Sequence, residues 1–337
     1  MGVGEDFSKF KDGYNITSEL ISSISARYKR ITRQLNTDFW NTNSETAHSL
    51  YVGSYGRDTA AKGISDLDIA FELPNAEYHK YNAHQGNGQS ALLQAVKKSM
   101  QNTYSSSDTS GDGQVVIISF TDGIKFEVLP VFANKEVESF TFPNSNGGGS
   151  WGVCNPRAEI AAIKKRNDAT NHNMKYLGRM MRVWTQHCAV PMSGMLVDTL
   201  AYQFIEGYEH RDKSFLYHDY LARDYFDFLY KQDEKQTIWR APGSGSHVHR
   251  TGVFEHKARS AYLIELNIAP RGFRRGACVI LTCELPHTSD DRCGCCRDAT
   301  LSGRSRDVVS HAIDASIPGP PLSAPTGECN ERQRASA

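Results

Sequence analysis

The tightest constraint on this chain is a composite pattern near its first third. A turn of small residues, Gly53-Ser54-Tyr55-Gly56-Arg57-Asp58-Thr59, is followed at Ser65-Asp66-Leu67-Asp68 by two carboxylates one residue apart. The stretch Leu67-Asp68-Ile69-Ala70-Phe71-Glu72-Leu73 reads as a strand. Side chains on a strand alternate between faces, so Asp66 and Asp68 share a face about 7 Å apart. Two carboxylates so placed can share hard divalent cations, which take oxygen ligands and leave positions open for water and phosphate. Such two-metal sites clamp the attacking and leaving oxygens of a displacement. They normally need a third carboxylate. A later segment, Ile124-Lys125-Phe126-Glu127-Val128-Leu129-Pro130-Val131-Phe132, reads as a buried strand whose only acid is Glu127. Burying that carboxylate among Phe126, Val128 and Leu129 is costly unless a cation or partner compensates it, which makes Glu127 the third candidate ligand.

Taken singly, the pieces are weak. Most Asp-x-Asp pairs are solvated surface, and Gly-Ser-x-Gly is as often a plain turn. In this order, with an acid-bearing apolar strand downstream, each supplies the structural context the others require. No Gly-Lys-Ser/Thr follows the turn, so it is not a Walker A loop. Gly53 can bring backbone close to a phosphate, and Ser54 can donate both a backbone N–H and a hydroxyl. The chemistry indicated is metal-dependent nucleotidyl transfer.

The block Gly53-Ser54-Tyr55-Gly56-Arg57, Ser65-Asp66-Leu67-Asp68 and Phe126-Glu127-Val128-Leu129-Pro130 resembles the DNA polymerase β-like nucleotidyltransferase superfamily. Within it, the chain looks like the bacterial cyclic-oligonucleotide synthases (CD-NTases), from about Tyr28 to about Leu266. The resemblance implies an α+β fold, with a mixed sheet and helices forming the nucleotidyltransferase core and a C-terminal helical lobe. It implies two Mg²⁺ ions, replaceable by Mn²⁺, on Asp66, Asp68 and Glu127, and NTP substrates including ATP. It also implies a second-messenger product that activates a downstream effector during phage infection, and it leaves room for a regulatory protein partner. By the same likeness, Arg182 in Arg182-Val183-Trp184 supplies a cation to the triphosphate, where better-known relatives have lysine. Arginine binds phosphate in a forked geometry instead. Ser193 falls where relatives place a phosphate-contacting serine.

Along the chain, Ile21, Ile24, Tyr28, Ile31 and Leu35 recur at steps of three and four between Thr17 and Phe39, the signature of an amphipathic helix. His48–Val52 reads as a strand running into the turn. Ser90 to Tyr104 reads as a helix with Leu92, Leu93, Val96 and Met100 on one face, and Ser105–Gly113 as a polar loop. Val115–Phe120 is an apolar strand, and Thr121-Asp122-Gly123 a tight turn into the Glu127 strand. The glycine-rich run before Trp151 is open to two readings, a mobile surface loop or a flap that closes over the nucleotide. From Arg157 to about Tyr230 the pattern is helical, with Met174, Leu177, Met181 and Trp184 on one stripe and Leu196, Leu200 and Phe204 on another. Beside the first stripe, Lys175, Arg179 and Arg182 can bring their cationic ends together. Lys175 and Arg182 are the candidates for offsetting charge on the departing pyrophosphate; the plainer reading is a solvated face.

The 337 residues allow two domains, and the formal charge sums to zero, so there is no overall basic field of the kind that marks constitutive nucleic-acid binders. No stretch approaches the roughly 20 apolar residues of a membrane span, and the first residues lack a signal-peptide core, which makes the cytoplasm the expectation. The expected organisation is a core over residues 1–156, a helical lobe over 157–266 and an atypical, poorly ordered tail over 267–337. After Trp239, Lys257 and Tyr262 there is no further Trp, Lys or Tyr, and apolar periodicity ends near Leu266, which a frame change or recombined end would explain. Cysteines crowd that tail, but Cys293-Gly294-Cys295-Cys296 lacks the two separated Cys-x-x-Cys knuckles of a zinc site. Three alternatives to cyclic synthesis remain: a linear oligonucleotide or AMP transfer to protein or RNA, a disabled nucleotide-binding module, and an interaction segment in the tail.

Overall fold

The computed structural model describes residues 13–64, 66–105 and 107–267. Expectations for the tail, including its order and its cysteines, lie outside them. Helix α1 (Ser18–Trp40) starts where the Thr17 side chain accepts the Leu20 N–H, and it ends at Asn41 in a left-handed conformation. Its buried face carries Ile24, Tyr28, Ile31 and Leu35, while Ile21 of the expected stripe is exposed. Strand β1 (Ser49–Tyr51) leads into a single helical turn, α2 (Gly53–Gly56), and then into β2 (Asp66–Glu72). Helices α3 (Asn75–Asn82) and α4 (Gly88–Thr103) follow. The strands β3 (Asp108–Asp112), β4 (Val115–Ser119), β5 (Lys125–Asn134), β6 (Ser139–Asn144) and β7 (Ser150–Cys154) complete the core.

These strands form a mixed seven-stranded sheet in the order β1-β2-β5-β4-β3, with β6 on the far end of β5 and β7 on β6. Only β2 and β5 run parallel. Pro130, which has no N–H to give a ladder, sits between the part of β5 paired to β4 (up to Val128) and the part paired to β6 (from Phe132). The two faces of the sheet have different fillings. Leu67, Ile69, Phe71, Val116, Ile118, Phe126 and Val128 pack under α1 and α4, whose Ile31, Leu35, Leu92 and Val96 are almost wholly buried. Each such side chain removed from water stabilises the fold by about 1.5–3 kcal/mol. The other face carries a smaller cluster of Val52, Ala70, Val115, Leu129, Val131, Phe140 and Phe142.

The sequence reading of Ser105–Gly113 as a loop is corrected here: Asp108–Asp112 is an edge strand. Its side chains are polar because it is held by backbone pairing to β4 rather than by burial of an apolar face. The turn at Thr121-Asp122-Gly123 is as expected, with Gly123 in the left-handed region at φ 86°. Trp151 itself is tied to the core. It lies on β7, donates its indole N–H to Asn82 Oδ1 at 2.9 Å, and packs against Tyr78 and Phe132 beside α3.

Helices α5 (Pro156–Asp168), α6 (Asn173–His187), α7 (Gly194–Gly207), α8 (His218–Tyr230) and α9 (Glu255–Asn267), with a small hairpin of β8 (Ile238–Arg240) and β9 (His247–His249), surround a second core. Met174, Leu177, Met181, Trp184, Leu196 and Leu200 are at most 1% exposed there and Phe204 is half-buried against the same cluster, so both expected stripes face the core. Tyr14, ahead of α1, inserts into the same cluster, and its carbonyl accepts the Lys62 N–H. The chain leading into α1 is therefore anchored in the helical region while α1 itself packs on the sheet.

Candidate active site

The turn and the acids are assembled by β1, β2 and β5. Val52 donates its N–H to the Asp68 carbonyl at 2.9 Å, which fixes the start of α2 to the acid strand. Gly53 has φ +59°, and a Cβ there would stand 1.7 Å from Asp68 Oδ2, so the Asp68 carboxylate lies directly over the Gly53 backbone. Both the backbone conformation and the close approach require glycine. As the first residues of a helical turn, Gly53 and Ser54 have N–H groups that the turn itself does not use. Parallel register sets Asp68 opposite Glu127 and Asp66 opposite Lys125. By strand parity Asp66, Asp68 and Glu127 all belong to the face that carries Ala70 and Leu129, away from α1 and α4.

Glu127 is 4% exposed, and its Oε2 has no hydrogen-bond partner among the described residues. Burial, then the charges of Asp68 and Asp66, push its carboxyl up to about 8. A buried oxygen without a donor, beside two further carboxylates, suits a cation in place of a proton. The donor set is all oxygen, which fits Mg²⁺ or Mn²⁺ and not a thiolate-seeking metal. Among the described residues, no three His, Cys, Asp or Glu side chains already converge tightly enough to hold an ion unaided. Two-metal sites complete their shells with water and substrate phosphate.

The basic residues divide. Lys175 Nζ and Arg179 Nη2 both reach Asp58, at 3.1 and 2.6 Å, so α6 does present cations to the loop just after the turn. Asp58 is itself left-handed, at φ 59°. Arg182 does not join that pair. Its Nη2 donates to Asp198 Oδ2 at 2.7 Å, the Gly194 carbonyl at 2.9 Å and Thr59 Oγ1 at 3.3 Å. Ser193 caps α7, its hydroxyl accepting the Leu196 N–H at 3.2 Å.

Sequence reasoning missed a buried network beside the turn. Arg57 Nε and Thr59 Oγ1 each donate to Asp198 Oδ2 at 2.9 Å, and Arg57 Nη1 lies 3.5 Å from Glu159 Oε2. The signal available was a lone acid, Asp198, in the apolar run Met195-Leu196-Val197-Asp198-Thr199-Leu200.

A mixed sheet with a helical turn feeding an acidic pair, a third acid on the parallel neighbour and helices packed around it defines the polymerase β-like nucleotidyltransferase class. Residues 1–167 match the family model of the Second Messenger Oligonucleotide or Dinucleotide Synthetase domain. The chain thus carries a second-messenger oligonucleotide synthetase domain on the fold of the bacterial CD-NTases, and it is a nucleotidyltransferase. Among solved structures, the di-nucleotide cyclase DncV of Vibrio cholerae superposes with a TM-score of 0.63 at 9% identity, covering 81% of this chain and 92% of that one. CdnC of E. coli MS115-1, in complex with HORMA-deltaN, gives 0.62 at 14% identity over 83% and 94%. The CD-NTase CdnG of Bradyrhizobium diazoefficiens, in complex with GTP, gives 0.56 at 12% over 82% and 96%. At these identities the likeness is one of fold. No curated protein matches the chain in sequence.

Proposed function

We propose that this chain joins nucleoside triphosphates into a cyclic di- or trinucleotide second messenger, with release of pyrophosphate, in a metal-dependent reaction that serves anti-phage signalling. The observation that carries the reading is the Glu127 oxygen, buried without a donor beside Asp68 and next to the Gly53 turn. Asp66, Asp68 and Glu127 would hold two Mg²⁺ ions, or Mn²⁺, which when bound lower the pKa of the attacking ribose hydroxyl and offset charge on the phosphates. Gly53 and Ser54 hold the donor triphosphate through backbone N–H groups and the Ser54 hydroxyl. Lys175 lies across from the same turn and neutralises departing pyrophosphate. Arg182, which reaches Thr59, and Ser193 at the start of α7 are the further candidates for contacting the triphosphate. Attack is in line at the α-phosphorus, and most of the acceleration comes from holding the two nucleotides in register. A linear intermediate then turns over in the site and closes in a second round.

Complexes of relatives with ATP and with GTP support nucleoside triphosphates as substrates, and the HORMA complex of CdnC supports a regulatory protein partner. No helix of the described residues is long and apolar enough to cross a membrane. The test is incubation of purified protein with all four NTPs and Mg²⁺ or Mn²⁺, phosphatase treatment and mass spectrometry, beside the Asp66→Ala/Asp68→Ala variant. A phosphatase-resistant cyclic product, absent from that variant and from Asp68→Ala alone, is the expected result. A phosphatase-sensitive 5′ end would replace cyclic by linear synthesis, and wild-type turnover in Asp68→Ala would remove the site assignment.

A further inference from the structure

Of the buried polar network between turn and helices the chemistry above uses no member but Arg182, although Arg57 and Asp198 are expensive to bury. Asp198 is fully buried on α7, and its Oδ2 accepts from Arg57 Nε, Thr59 Oγ1 and Arg182 Nη2 at 2.9, 2.9 and 2.7 Å. Its Oδ1 has no hydrogen-bond partner among the described residues. Arg57 is also near Glu159, which accepts a hydrogen bond from Ser244 Oγ at 2.9 Å. Exchanging a buried ion set for apolar residues of similar volume is often neutral or stabilising, so stability is a poor reason for its presence. Two glycines make room for it. A Cβ on Gly178 would stand 3.2 Å from Thr59 Cγ2 and 3.3 Å from Asp198 Oδ1, and one on Gly194 would stand 2.3 Å from Arg182 Nη1.

The network grips the segment that follows Gly53–Gly56. Arg57 and Thr59 flank Asp58, and the Ser54 carbonyl accepts the N–H groups of Thr59 and Ala60 at 3.0 and 3.1 Å. Holding Arg57 and Thr59 therefore holds Ser54, and with it Gly53, whose backbone has no slack against Asp68. One carboxylate on a helix 141 residues further along thus sets where the turn lies relative to the acids.

We propose that Asp198 is a positioning residue for nucleotidyl transfer, acting through Arg57 and Thr59 to keep the Gly53-Ser54 turn in register with Asp68. The proposal rests on the site reading given under "Proposed function". It is tested with Asp198→Asn, which keeps the shape and removes the charge, and with the apolar pair Asp198→Leu/Arg57→Met. A displacement of about 1 Å at a reacting group lowers rate by about 100-fold, so Asp198→Asn is expected to lose about 10–100-fold in kcat. KM for the NTP should stay within about threefold, since binding without alignment survives. Amide hydrogen exchange should quicken over residues 53–60 and stay unchanged over residues 125–134. The apolar pair leaves Arg182 and Glu159 without these partners and is expected to melt lower, but assayed where it is folded it should remain as slow as Asp198→Asn.

Wild-type kcat and wild-type exchange in Asp198→Asn would overturn the proposal, as would full turnover by the apolar pair where it is folded. Activity in Asp68→Ala would instead remove the site reading and leave the exchange measurement to decide on Asp198. If the wild type made no product, faster exchange over residues 53–60 in Asp198→Asn would support the positioning role, and unchanged exchange would end it.

Discussion

The surroundings of Glu127, burial first and then the charges of Asp68 and Asp66, oppose its ionisation. With its carboxyl raised from 4.5 to about 8, the folded protein keeps a proton that the unfolded chain releases between those values. The stabilisation from this group is full below about pH 4.5 and is lost as pH rises through about 8. In chelator, melting temperatures of the wild type are therefore expected to fall from about pH 5 to pH 8 relative to Glu127→Gln, and the difference between the two should shrink when Mg²⁺ is added. A flat difference would mean that Glu127 is ionised in the folded protein. Gly53 gives a second outcome at this scale. Gly53→Ala places a methyl into Asp68 at a left-handed position, so it should destabilise by more than the ordinary 1 kcal/mol or so of a glycine replacement and abolish product formation. Calorimetry and the product assay read both effects. The three acids and the turn were legible from the sequence because they depend on local spacing and strand parity. The placement of Arg182 was not, since its partner Asp198 lies a full turn into the next helix and a cation's position along a helix does not say which acid will claim it.

At the scale of elements, apolar periodicity foretold α1, α4, β2, β4, β5 and the α6 and α7 stripes, because each buries one face and the period records that face. It failed for β3, where the stabilising contact is backbone to backbone and leaves no mark on side-chain polarity. It also left Trp151 undecided, since packing of that ring needs Tyr78 and Phe132 from two other elements. Helix α6 is the element on which both the second core and the cations depend. Met181 and Trp184 are at most 1% exposed on its inner face. Met181→Ala should cost about 2–5 kcal/mol and Trp184→Ala about 3–5 kcal/mol, measured by urea unfolding. Losses much below that range would mean that the helical core can close over the vacated space.

At the scale of the whole molecule, Lys and Arg together number 38 and Asp and Glu 38, so long-range steering of a polyanion is weak. Duplex DNA at physiological salt is expected neither to form a lasting complex nor to change turnover, which gel shift and the product assay check. A salt-dependent complex would point to a local basic surface. The sheet and the helical core meet where Arg57 and Thr59 enter the Asp198 network and where Tyr14 enters the helical cluster. That arrangement also dictates when activity can begin as the chain is made. Strand β2 finds its parallel partner only after some 60 further residues are present, and Arg57 finds Asp198 only after 141. Contacts of such long sequence separation form late, because a large loop must close before they return any stability. A growing or truncated polypeptide that stops short of α7 carries the whole Gly-Ser and Asp-x-Asp signature yet lacks Asp198, so under the positioning role proposed for that residue transfer would wait until α7 is made.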